Sequence, residues 1–208
     1  FANNNGIGKG LWGAGSSGSG HGGRGGNYLG LAGGSPYGVT NAPVTPGSGG
    51  IQYGVTYGTP HGGGAVRIDA RGEMVIDGTI KANAGFLTAG VVSPVNFGCG
   101  GSGGSIFLSA ARFHGGTTAA LEAKGGLGGS SAGGGGGGRI AVWYAVPEDR
   151  VAGVLDGSNM QKVEITGTMA NYQGSLSVAG GTAVNNGQPG SIVFLTIPAP
   201  GGSVFMIR

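Results

Sequence analysis

The chain has 208 residues, 54 of them glycine, with 9% charged residues and a net charge of +3. Ordinary domains carry about 7% glycine and about 25% charge, so this is not the composition of a typical enzyme. A hydrophobic content of 38% sets it apart from disordered chains, and the 133–138 glycine run breaks the collagen period.

In chain order, Phe1-Ala2-Asn3 opens what reads as the middle of a repeat. Residues 13–34 follow as a glycine-rich stretch. The stretch contains Gly18-Ser19-Gly20-His21-Gly22-Gly23, which has the letters of a dinucleotide fingerprint but neither the preceding strand nor the following helix. Val66, Ile68 and Ala70 alternate with Arg67 and Asp69, the period of a half-buried strand, and Ile80, Ala82 and Ala84 alternate with Lys81 and Asn83. Both strands recur downstream. Val66 stands 40 residues before Ile106 in matching contexts, and Ile80 stands 41 before Leu121. Gly138-Arg139-Ile140 and Gly190-Ser191-Ile192 begin in the same way, which gives four related strand starts. Val163 with Ile165 and Leu176 with Val178 also alternate. Pro147-Glu148-Asp149-Arg150 is the one helix-like start, too short for more than a turn or two. Val204-Phe205-Met206-Ile207-Arg208 closes on an apolar strand.

A lone alternating strand cannot bury its apolar face, so the expected fold is all-β: a single domain over 1–208, either a β-solenoid or a flattened stacked β-sandwich. Glycine runs then serve as turns and corners. For 13–34 and 125–138 the alternative is local polyglycine II packing, with Cβ-free chains side by side.

The succession Gly20-His21-Gly22-Gly23-Arg24-Gly25-Gly26, Pro36-Tyr37-Gly38, Gly62-Gly63-Gly64-Ala65-Val66-Arg67-Ile68, Asp77-Gly78-Thr79-Ile80-Lys81 and Gly100-Gly101-Ser102-Gly103-Gly104-Ser105-Ile106 resembles glycine-rich repeat regions of large secreted and cell-surface proteins. The resemblance spans most of 6–144. It implies a surface-exposed, solenoid-like module and carries over no catalytic residue.

Candidate chemistry is sparse. His21, His61 and His114 sit in similar glycine-rich settings, but their spacing is not that of a local metal motif, and backbone hydrogen bonding is the expected role. No calcium repeat is present. Arg67, Asp69, Arg71 and Glu73 read as alternating charges on an outer strand face rather than a catalytic cluster. Trp12, Trp143, Tyr53, Tyr57 and Tyr144 are candidates for a sugar-stacking platform or for packing. Cys99 is the single cysteine, either buried as a small hydrophobe or paired between subunits. Thr45 and Thr59, beside prolines, are candidate O-glycan sites. The eleven Lys and Arg are scattered, which argues against nucleic acid, and no apolar run approaches the ~20 residues of a membrane helix. No catalytic residue, cofactor or metal is expected.

The expected function is that of an extracellular structural protein, a subunit of a self-assembling surface fibre whose main partner is itself. Assembly is expected through head-to-tail strand pairing by Phe1, Ala2, Asn3, Val204, Phe205 and Ile207. The alternative is an adhesin or carbohydrate-binding module, with glycans as partners. An ice- or mineral-binding face would need a regular threonine array, and none is evident.

Overall fold

In a computed structural model, the described residues are 1–2, 4–52, 60–85, 98–146, 163–165, 169 and 171–197. They form eight strands and no helix. Strands β1 (Ala65–Ile76), β3 (Ser105–Gly115), β5 (Arg139–Trp143), β8 (Ser191–Thr196) and β6 (Val163–Ile165) make one sheet in that order, parallel except for the antiparallel β6. Strands β2 (Thr79–Lys81), β4 (Ala120–Glu122) and β7 (Ser175–Ser177) make a second, fully parallel sheet.

The four related starts are the four adjacent parallel strands of the larger sheet. Val66 pairs with Ile106, Ile106 with Ile140, and Ile140 with Ile192, while Ile80 pairs with Leu121. Period-2 alternation then sorts side chains to two faces. Ile106, Leu108, Phe113, Ile140, Val142 and Phe194 face the smaller sheet, packing with Leu121, Ala123 and Val178. Phe107, Ala141, Trp143, Val193 and Leu195 form a second core on the opposite face. A sheet covered on both faces needs apolar residues at successive positions, which accounts for Ile106-Phe107-Leu108.

The second core is covered by residues 37–45, which are pinned by polar groups of the sheet. Trp143 Nε1 donates to Asn41 O at 2.7 Å, Ser105 Oγ to Thr45 O at 2.6 Å, and Arg139 Nε to Tyr37 O at 3.0 Å. Ala42 packs against the apolar residues beneath.

The expected solenoid or stacked sandwich is corrected by these strands and by the glycine segments. Sequence offsets between neighbouring parallel strands are unequal, as Ser105 pairs with Ala65, Arg139 with Ser105 and Ser191 with Arg139, and an antiparallel strand follows β8. Among the described residues no closed coil results. The glycine runs are not corners between rungs either. Gly133 and Gly136 donate to Ser16 O and Ser19 O, Gly134 and Gly137 to Asn185 O and Gln188 O, and Gly135 and Gly138 to Gly126 O and Ala123 O. The carbonyls of Gly133 and Gly136 accept from Gly100 and Gly103, those of Gly134 and Gly137 from Gly26 and Gly23, and that of Gly135 from Gly181.

Five of the six directions of bonding therefore recur every third residue, Gly138 O accepting instead from Ser191 N at 3.1 Å, and segment 133–138 is bonded to six neighbouring segments. A β-strand alternates every second residue and has two neighbours. A three-residue period without internal hydrogen bonds is that of an extended threefold helix. Such a bundle has no room for side chains. A Cβ at any position from Gly133 to Gly138 would approach a neighbour's backbone closer than the 3.0 Å below which real Cβ atoms essentially never come. Ordering glycine costs more backbone entropy than ordering any other residue, and here the return is a bonded partner for every N–H of the run.

Candidate functional site: an open sheet edge beside a glycine lattice

The two sheets end on the same side, at strands adjacent in sequence. Strand β1 is the outer strand of the larger sheet and β2 that of the smaller. Over its 12 residues β1 buries only Met74 fully, and Ile68 and Val75 are 40% and 56% exposed. Ser105 N donates to Gly64 O, so by alternation the N–H and C=O of Ala65, Arg67 and Asp69 point away from β3. This edge carries charge and a bulge. Arg67 Nε meets Asp69 Oδ2 at 2.9 Å, Ser109 Oγ donates to Asp69 Oδ1 at 2.7 Å, and the Arg67 guanidinium lies 5.3 Å from the Phe107 ring centroid. Glu73 pairs with His114 at 3.1 Å, just beyond a register shift between Ala70 and Glu73. Charges and bulges of this kind restrict which strand can add to an edge.

Behind the sheet, a buried polar seam ties the glycine lattice to the cover segment. His21 is fully buried, with Nδ1 2.8 Å from Gly103 O and Nε2 3.0 Å from Thr45 Oγ1. A carbonyl only accepts, so Nδ1 carries the proton and Nε2 accepts from Thr45. Burial, with the nearby Arg139 charge, pulls the His21 pKa down to about 4. The ring packs on Tyr37 at 4.7 Å between centroids, and the Tyr37 hydroxyl donates to Pro46 O at 2.6 Å. Arg139, 8% exposed, donates from Nη1 to Thr40 Oγ1 at 2.8 Å and to Ser191 Oγ at 3.1 Å. Cys99 is buried beside Ile51 and Ala132, and burial pushes its thiol up to about 11.

Of the residues expected to mediate assembly, Phe1 and Ala2 are bonded within their own chain. The Phe1 amino group donates to Gly47 O at 3.2 Å, Phe1 O accepts from Gly62 N at 3.0 Å, and Ala2 O accepts from Asn5 N at 3.2 Å. Asn3, Val204, Phe205 and Ile207 lie outside the described residues, as do Thr59, Tyr53, Tyr57 and the 147–150 segment. Thr45 is half-buried, with its hydroxyl engaged by His21. Trp143 is buried in the second core and Tyr144 packs on the first, whereas Trp12 is 49% exposed. Among the described residues no group of three or more His, Cys, Asp or Glu could hold a metal, and no helix is long and apolar enough to cross a membrane.

A third feature escaped the sequence reading. Residues 24–30 and 185–188 come together because both pack on 133–138, with Gly26 N donating to Gly134 O and Gly134 N to Asn185 O. No residue pattern could reveal this, since the connection runs through backbone groups, among them Gln188 N donating to Arg24 O at 2.8 Å. No family profile, curated protein or solved structure matches the chain.

Proposed function

We propose that this chain is an extracellular structural protein, a subunit that assembles with copies of itself into a surface fibre by head-to-tail β-strand pairing. The observation that supports this reading most is the coincidence of the β1 and β2 edges, which leaves both sheets extensible on the same side. A copy adding there would continue two sheets at once. It would bury Ile68 and Val75 and pair the outward groups of Ala65, Arg67 and Asp69. The opposite ends of the sheets, β6 and β7, are different strands, so the contact is heterologous and propagates. The charged pattern on β1 then acts as a register filter, favouring a partner edge that complements Arg67 and Asp69.

Proline at 65 and 67 removes two outward N–H donors without touching the groups that bond β3, a substitution edge strands tolerate. The Ala65→Pro/Arg67→Pro variant is expected to keep the wild-type circular dichroism spectrum. In sedimentation velocity it is expected to remain monomeric at concentrations where the wild type forms large species. Equal assembly by both proteins would remove β1 from the interface.

A further inference from the structure

We propose that the cleft between residues 24–30 and 185–188 is a binding site for an oligosaccharide chain. The cleft, of about 470 Å³, is within the size range of small-ligand sites. Its polar lining consists of Arg24, Asn27, Tyr28, Asn185, Asn186 and Gln188, without a carboxylate. A side-chain amide offers donors and an acceptor together, which matches the dual character of sugar hydroxyls better than any charged group does. These amides are available. Asn185 and Gln188 are exposed and their side chains make no hydrogen bond among the described residues, while Asn186 commits only Oδ1, to Ala183 N at 3.0 Å.

The opposite wall is held stiffly. Asn27 Oδ1 accepts from Gly33 N at 2.8 Å, and Arg24 Nη1 donates to Gly33 O at 3.1 Å. Tyr28 and Leu31 exchange both backbone bonds, at 3.0 and 2.8 Å, around a two-residue turn. Its central residues have positive φ, 43° at Leu29 and 80° at Gly30. A leucine in the left-handed region is strained, and strain of this kind concentrates where a loop presents something. Here the turn holds Leu29 71% exposed at the lip and sets the half-buried Tyr28 ring, backed by Gly15, in the cleft wall. An aromatic ring beside the uncommitted amides of Asn185 and Gln188 suits the two surfaces of a pyranose, its apolar C–H face and its hydroxyl rim. Base stacking with phosphate contacts would call for clustered cations, and Arg24 is the only one in the lining.

The test is a printed panel of neutral and uronate-containing oligosaccharides, probed with the full chain and with the Asn185→Ala/Gln188→Ala variant. Titration calorimetry would follow on the best-retained hexasaccharide. Both substituted side chains are exposed, and the backbone bonds of residues 185 and 188 are kept, so the thermal unfolding midpoint should not change. The expected result is saturable binding that the variant weakens at least tenfold, with Tyr28→Ala weakening it similarly. Retention of uronate chains alone, lost again in Arg24→Gln, would still place the sugar in this cleft, with the guanidinium on its carboxylate. A panel without a retained saccharide, or equal retention by wild type and variant, would overturn the proposal.

Discussion

Gly136→Ala is expected to prevent folding, or to lower stability by at least about 4 kcal/mol, a large share of the roughly 5–15 kcal/mol that holds a domain together. The new Cβ would collide with the backbone of Gly23 and Arg24, which belongs to another segment of the bundle and has no rotamer through which to yield. Overpacking a tight core costs about 1–3 kcal/mol even where side chains can move. Displacing 22–26 would also break the bonds of Gly23 N to Gly137 O and Gly26 N to Gly134 O, each worth about 1 kcal/mol. Gly78→Ala is the matched control. Nothing lies within 4 Å of a Cβ there and no positive φ is required, so it should be neutral or stabilise by up to about 1 kcal/mol through the unfolded chain. Urea denaturation of the two variants measures the difference directly, and unfolding free energies within 1 kcal/mol of each other would contradict the three-residue bonding pattern.

The second large effect is on pH dependence. His21 is neutral in the fold, with its pKa pulled down from 6.5 to about 4 by burial and by Arg139. Unfolding releases it to its ordinary value, so the unfolded state binds the proton first as the pH falls. Stability is therefore complete above about pH 6.5 and is lost progressively down to about pH 4. Below that both states are protonated and the loss stops growing, at on the order of 3 kcal/mol by linkage. The protonated ring would also no longer accept from Thr45. His21→Asn keeps a donor near the Nδ1 position for Gly103 O but does not titrate. It should be less stable than wild type at pH 7.5 and lose much less between pH 6.5 and 4. Parallel urea midpoints for the two proteins across that window would remove His21 as the titrating group.

How far the fold was legible follows from what glycine conceals. The strand starts at Ala65, Ser105, Arg139 and Ser191 were readable because side chains alternate there, and the separation of Val66 from Ile106 is the pairing register of β1 and β3. The glycine segments carry no such signal. Their order lies in the directions of N–H and C=O groups, which residue type does not show, so the Cβ-free runs at 13–34 and 125–138 allow side-by-side polyglycine II packing but do not tell it from ordinary turns. The same concealment hid the meeting of Tyr28 with Asn185 and Gln188. Of the histidines in glycine-rich settings, His21 bonds backbone at Gly103 O whereas His114 pairs with Glu73, and the tie of His21 to Thr45 depends on the fold of 37–45 over Trp143 and Arg139. That cover segment has no periodicity to announce it.

The central claim, that the molecule builds a fibre from copies of itself, is tested most directly by negative-stain electron microscopy of the purified chain across a dilution series, beside the Ala65→Pro/Arg67→Pro variant. Uniform filaments of a single width in the wild type, shortening on dilution and missing from the variant, are the expected result. Dispersed single particles of wild type at every concentration would contradict it.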